Sequence, residues 1–216
     1  MPQHSSNPVG RPRAVPREDA TADPKEDILR AAASLFVRQG FGGTSTRAIA
    51  EIAGMRQATL YYYFSGKDDI LRTLLAETVR PSLEMAKSWR VALRGGQDAA
   101  VVLYRLIAED TRILRSAGRQ VGALYALPEV WSGNYPEFVE EHAVLEGIYS
   151  EVCELLLART EVTFAIEARQ LGRLCCQLAE NAYLFSGPVQ TVADTMGCLG
   201  LRLNGVPDAA VEFARR

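Results

Sequence analysis

Thr44-Ser45-Thr46-Arg47-Ala48-Ile49-Ala50-Glu51-Ile52-Ala53-Gly54-Met55-Arg56-Gln57-Ala58-Thr59-Leu60-Tyr61-Tyr62-Tyr63-Phe64 reads as two short helices on either side of a glycine turn. Thr44 and Ser45 offer hydroxyls to cap the first helix. Ile49, Ile52 and Ala53 share one face of it, and Ala50 is small enough for another helix to approach closely. Gly54 ends it, because the sharp turn needs a left-handed backbone that only glycine adopts without a Cβ clash.

The second helix carries hydroxyl, amide and aromatic groups where a core helix would carry leucines. Leu60 and Phe64, four apart, face inward. That leaves Arg56, Gln57, Ala58, Thr59, Tyr61, Tyr62 and Tyr63 for the outer faces, with Thr46 and Arg47 beside them on the first helix. These are groups that read base edges and grip phosphates. Three consecutive tyrosines do not suit the buried face of an ordinary helical hairpin. The unit at 45–64 therefore predicts a helix-turn-helix that binds double-stranded DNA.

Its surroundings extend the pattern. Upstream stand Ile28, Leu29, Ala32, Leu35, Phe36, Gly40 and Phe41; downstream stand Lys67, Ile70 and Leu71. From about Ala22 to Ser82 the order of apolar helix, Gly-Phe, Thr, Ala-x-x-Ala-Gly, Leu-Tyr-Tyr-x-Phe and Lys resembles the tetracycline-repressor (TetR) family of transcriptional regulators. The resemblance implies a DNA-binding domain over 22–82, with the helix from about Gln57 to Tyr63 in the major groove. It also implies backbone contacts from the N-terminus of the helix after Lys67, so Lys67 joins the expected DNA-binding residues.

Composition bounds the rest. With 216 residues and 48% hydrophobic content, the chain can bury a sizeable core. No run approaches the roughly 18 apolar residues of a membrane span, and the first two dozen residues are too polar for a signal peptide, so a cytoplasmic location is expected. The net charge of −2 divides unevenly: residues 1–75 carry +2 and the remainder −4. The basic excess lies with the helix-turn-helix, and hydroxyls, amides and a second subunit add further phosphate contacts.

Residues 1–22, rich in Pro, Ser, Arg and Asp, read as a disordered arm. Within it Gly10-Arg11-Pro12-Arg13 resembles the centre of an AT-hook, although Val9 stands where an arginine would precede it. Folding is expected from Asp23, an N-cap followed by Pro24 and Glu26. Helices then run to Gln39, from Thr46 to Ala53, from Arg56 to Phe64, and from Ser65 toward Trp89 with Pro81 as a point for a bend. No segment alternates with period two, so an all-α fold is predicted. It comprises an N-terminal three-helix DNA-binding domain and a C-terminal helical domain over 83–216 for ligand binding and dimerisation.

Two late amphipathic helices, Phe164 to Phe185 and Pro188 to Leu203, bear on assembly. Leu171, Leu174, Cys175 and Leu178 on the first, and Val192, Met196, Leu199 and Leu203 on the second, are candidates for a homodimer interface. The small residues Gly197, Cys198 and Gly200 would permit close helix approach. The resemblance implies a four-helix dimer contact; closure of the subunit's own core is the alternative. A two-fold dimer reads two half-sites about 34–36 Å apart, or a multiple of that. Trp89, Tyr104, Tyr125, Trp131, Tyr135, Phe138, His142 and Tyr183 concentrate between the fourth helix and these two, with Asn181 nearby. They are the candidate lining of a small-molecule effector pocket.

Other classes fare less well. There is no Gly-x-Ser-x-Gly and no phosphate loop, and His4 and His142 are the only histidines, so an enzyme is not expected. The four cysteines show no C-x-x-C spacing, which argues against a metal site and a disulfide framework, and no cofactor is expected. Cys175-Cys176 raises a thiol-based redox sensor on the same scaffold, although Cys175 falls on the apolar stripe, where a buried thiol is inert. A DNA-binding structural protein without a ligand switch is the third possibility.

Overall fold

The computed structural model describes residues 23–116, 121–159 and 166–215. Within them the fold is all-α, built from the helices α1 (Pro24–Gln39), α2 (Thr46–Ile52), α3 (Gln57–Tyr63), α4 (Lys67–Arg94), α5 (Ala99–Ser116), α6 (Pro136–Leu157), α7 (Ala168–Glu180), α8 (Val189–Leu203) and α9 (Asp208–Arg215). Short 3-10 segments, Val121–Ala126, Pro128–Trp131 and Asn181–Leu184, join them. The arm with Gly10 to Arg13 lies outside the described residues.

The starts and stops obey local chemistry. Asp23 caps α1 by accepting from the Lys25 N–H at 2.9 Å, and Ser45 caps α2 through the Ala48 N–H at 3.1 Å. Gly54 turns the chain between α2 and α3 at φ 74°, as the sharp reversal requires. α4 runs unbroken through Pro81 and five residues past Trp89.

The helix expected from Phe164 to Phe185 is shorter: α7 ends at Glu180. A long-range clamp accounts for the irregular path of the chain beyond it. The Arg115 guanidinium, from the end of α5, donates to the carbonyls of Ala182 (2.7 Å), Phe185 (2.8 Å) and Gly187 (3.1 Å). Charge-assisted bonds to these carbonyls compete with continuation of the helix.

Apolar burial divides into two clusters. One fills the head between α1, α2, α3 and the first half of α4, including Ile28, Phe36, Ile49, Leu60, Phe64 and Leu71. It continues into Leu114, Leu124, Tyr125, Val130, Tyr135 and Phe138, so packing crosses the expected boundary at 82/83 without a break. The other cluster fills the body among α5, α6, α7, α8 and the end of α4. α4 thus belongs to both, and it connects head to body as one continuous helix.

Four of the eight expected interface residues lie inside this body core: Leu171, Cys175, Val192 and Met196. A stripe at i, i+4 faces the larger apolar volume, which here is the subunit's own α5 and α6. The glycines agree. A Cβ at Gly197 would lie 2.7 Å from the Tyr104 ring, and one at Gly200 would collide with Ile107. The small residues of α8 seat it on α5 of the same chain.

Candidate nucleic-acid interface

α3 is held by one buried residue, Leu60, and offers the rest of its surface outward. Arg56, Gln57, Ala58, Thr59, Tyr61, Tyr62 and Tyr63 are exposed, Tyr62 at 83%. The Tyr62 and Tyr63 rings meet edge to face at 5.1 Å. Tyr61, Tyr62 and Tyr63 together leave an aromatic surface open to solvent, the kind of patch that marks an interaction site.

The two helices of the motif are tied by side chains. Gln57 Nε2 donates to Thr46 Oγ1 at 3.0 Å, and the Tyr61 hydroxyl shares a 3.1 Å hydrogen bond with the same oxygen. Thr46 is consequently half-buried and acts as the hinge pin of α2 and α3, while Arg47 beside it stays exposed. Lys67 is also engaged. Its ammonium donates to the carbonyls of Phe41 (2.8 Å) and Thr44 (3.1 Å) and stands 4.4 Å from the centre of the Phe41 ring. The family resemblance directs this charge toward the DNA backbone; the structure directs it to the α1–α2 loop.

The expected pocket residues fall into separate places. Tyr125, Trp131 and Phe138 surround His142, with ring centroids 5.8, 5.2 and 5.5 Å from the imidazole. Tyr135 stands nearer the head, donating its hydroxyl to Asp68 at 3.2 Å. Trp89 and Tyr104 do not join the group: Trp89 donates to Glu109 (2.9 Å) and Tyr104 to Asp194 (2.9 Å). Tyr183 is half-buried on the 3-10 segment after α7. A cleft of about 180 Å³ opens between α4 and α6, lined by Arg72, Leu75, Ala76, Arg80, Tyr135, Phe138 and Glu141.

Beneath the aromatic group lies a buried polar network that sequence reasoning missed. His142 Nε2 and Glu180 Oε1 are 2.5 Å apart, and Cys176 Sγ donates to the same oxygen at 3.5 Å. Asp110 accepts from Ser82 (2.5 Å) and Tyr149 (3.0 Å), and Tyr125 donates to Thr78 at 2.9 Å. Burial alone would lower the His142 pKa, but the Glu180 hydrogen bond and the charges of Glu180, Glu146 and Asp110 outweigh it and raise it. Burial pushes Asp110 up to about 6, against the opposing Ser82 bond. Cys176 is raised well above an ordinary thiol, first by burial and then by Glu180. Cys175 and Cys176 are both fully buried; burial disfavours the thiolate at Cys176, whereas a hydrogen bond with Cys153 lowers the Cys175 pKa. Isolated acidic residues in apolar helices give no warning of such a network; only the crossing of α4, α5, α6 and α7 assembles it.

Comparison with known proteins agrees with the head. A family model described as bacterial regulatory proteins, tetR family, matches residues 28–74. The crystal structure of Mycobacterium smegmatis AmtR is similar over 92% of this chain and 94% of that one, at 33% identity and a TM-score of 0.75. AibR, in complex with isovaleryl coenzyme A and operator DNA, shares the fold at 14% identity and a TM-score of 0.63, over 82% of this chain and 97% of that one. Among curated relatives, the probable HTH-type transcriptional regulator YttP of Bacillus subtilis is 42% identical over 53 residues, 24% of this chain; the match spans about a quarter of its length, 26%. Among the described residues no helix is long and apolar enough to cross a membrane. An exposed helix on a helix-turn-helix scaffold, within a chain that matches AmtR nearly end to end, makes this a DNA-binding transcriptional regulator rather than an enzyme, and the chain belongs to the tetR family of bacterial regulatory proteins.

Proposed function

We propose that the chain is a cytoplasmic repressor that binds a two-fold-symmetric operator as a homodimer and leaves it when a small hydrophobic or aromatic molecule occupies the body. The observation that carries this reading is the α3 surface, where Arg56, Gln57, Thr59 and Tyr62 stand exposed on a helix anchored from behind. One such helix reads only a few base pairs, and a dimer doubles both contacts and specificity.

The face that supports dimerisation is narrower than the stripes suggest. Leu174 (42% exposed), Leu199 (38%) and Leu203 (41%) stand outward on α7 and α8. Leu178 is half-buried between them, its Cδ1 near Gly200. Leucines aligned on two adjacent helices suit a four-helix contact.

Effector control rests on the α4–α6 cleft. Its volume of about 180 Å³ falls below the roughly 300–1,000 Å³ of small-molecule pockets. A ligand seated against Phe138 and Tyr135 would therefore wedge α4 from α6. Because α4 begins at the head, and Asp68 on it is bonded to Tyr135, that movement re-aims α3. AibR, of the same fold, is a precedent for one chain holding both an organic ligand and operator DNA.

In vitro selection from random duplexes with the full chain tests the core of the proposal. Expected are sites made of two inverted half-sites spaced by one helical turn or a multiple, bound by a species that sediments as a dimer. Single half-sites bound by a monomer would overturn it. A ligand found by thermal shift should bind more weakly in the presence of the selected operator, since coupling is reciprocal.

A further inference from the structure

α6 and α7 bring together three side chains that no local spacing connects. His142 on α6 meets Cys176 and Glu180, four residues apart on α7. The ring nitrogen, the sulfur and a carboxylate oxygen all lie within 4.8 Å of one another, and all three residues are buried. We propose that His142, Cys176 and Glu180 form a binding site for one borderline divalent transition-metal ion, with zinc as the reference ion, joining α6 to α7. This goes beyond DNA binding and effector release and does not depend on either.

The donor set is the first argument. One imidazole, one thiol and one carboxylate are ligand types that zinc accepts, and hard cations such as magnesium or calcium disfavour sulfur. Thiolate and carboxylate together neutralise a doubly charged ion, which removes most of the cost of burying it.

Spacing is the second. Tetrahedral bonds of about 2.3 Å to sulfur and 2.0–2.1 Å to oxygen place those atoms about 3.5 Å apart. Cys176 Sγ and Glu180 Oε1 already stand at 3.5 Å. The His142–Glu180 pair, at 2.5 Å, must open to about 3.3 Å. That is within reach of a carboxylate rotation.

The orientation of the imidazole is the third. Nδ1 of His142 faces Glu146 Oε1 at 4.0 Å, too long for a hydrogen bond, so this carboxylate must close by about 1 Å to hold the ring's orientation and tautomer once Nε2 takes a metal. Trp131, whose ring centroid is 5.2 Å from the imidazole, is 47% exposed, so the aromatic group around the imidazole reaches solvent. Three protein ligands leave a fourth position for water.

Cobalt(II) added to the full-length apo protein is the probe. Expected are one ion per chain, a thiolate-to-cobalt charge-transfer band and the intense visible bands of a tetrahedral site, all displaced by zinc. Cys176→Ser should abolish the charge-transfer band and weaken binding at least tenfold, His142→Gln should weaken it similarly, and Cys175→Ser should leave both unchanged. X-ray absorption of the zinc-loaded wild type needs no variant: one sulfur with nitrogen or oxygen neighbours supports the site. Two sulfurs, a charge-transfer band that survives Cys176→Ser, or no cobalt spectrum at all would overturn it and leave the three groups as a structural hydrogen-bonded cluster.

Discussion

Lys67 holds Phe41 twice, by a 2.8 Å hydrogen bond from its ammonium to the Phe41 carbonyl and by standing 4.4 Å from the centre of the Phe41 ring. The contact spans 26 residues of chain and closes the α1–α2 loop over the start of α4. Lys67→Ala should therefore destabilise the head by about 1–3 kcal/mol, the range for a charged hydrogen bond with a cation–π contact. Operator affinity should fall through that loss of order, while the dependence of affinity on salt keeps its slope. A slope lowered by about one with unchanged melting would show instead that Lys67 sits on a phosphate.

The proposed function places base reading on α3. Tyr62→Ala should cost about 1–3 kcal/mol of specific operator binding with native circular dichroism. Gln57→Ala should cost a similar amount, and here a control exists: Thr46→Val removes the acceptor of the Gln57 amide without touching Gln57 itself. If Thr46→Val reproduces most of the Gln57→Ala loss, Gln57 acts by being positioned. Unchanged affinity in both Tyr62→Ala and Gln57→Ala would remove α3 from the groove.

Assembly gives a contrast within single helices. Leu174→Glu with Leu203→Glu should shift the sedimentation profile to monomer while leaving helical content and melting cooperative, because both side chains are exposed in one chain. Met196→Glu, on the same α8 but fully buried, should unfold the subunit, since an unpaired buried charge costs several kcal/mol. A dimer that survives the double substitution places the interface elsewhere.

Gly200→Ala offers a sign test. In an exposed helix interior this change is stabilising by about 1 kcal/mol. Here the added methyl meets Ile107, and overpacking of about 1–3 kcal/mol should win, lowering the urea midpoint. A raised midpoint would mean that α5 and α8 yield at no cost.

The buried carboxyl of Asp110 predicts a pH dependence. Burial lifts it from 3.8 to about 6, with the charge of Glu180 adding and the bonds from Ser82 and Tyr149 and the charge of His142 opposing. The folded state then binds this proton more tightly than the unfolded chain, so stability falls as pH rises from about 4 to 6 and levels off above. Asp110→Asn should flatten that slope, with a wild-type-minus-variant change across the window on the order of 3 kcal/mol. Urea titrations of chelator-treated protein at pH 4 and pH 7 check it; identical slopes in both proteins would reject the assignment.

Much of the head was legible in the residues themselves. The Asp23 and Ser45 caps, the Gly54 turn and the inward Leu60 are local features, and α1, α2 and α3 lie within a residue or two of the expected bounds. The exposed groups of α3 were legible for the same reason, since helical periodicity alone assigns the faces of so short a helix. The body was legible only as a set of amphipathic helices. Periodicity marks Leu171, Cys175, Val192 and Met196 as apolar-face residues, but it does not say whether that face meets α5 and α6 of the same chain or a second subunit.

By itself, then, the sequence determined the all-α class, the helix-turn-helix and the identity of its outward residues, because caps, turns and 3.6-residue periodicity act between near neighbours in the chain. Tertiary structure alone decided that Lys67 clamps Phe41, that Arg115 binds the carbonyls of the loop after α7, and that His142, Cys176 and Glu180 meet. Apart from Cys176 and Glu180, which are one turn apart on α7, those contacts join residues 26 to 72 positions apart and depend on which helices cross, and at what depth, which a single chain's local pattern does not encode.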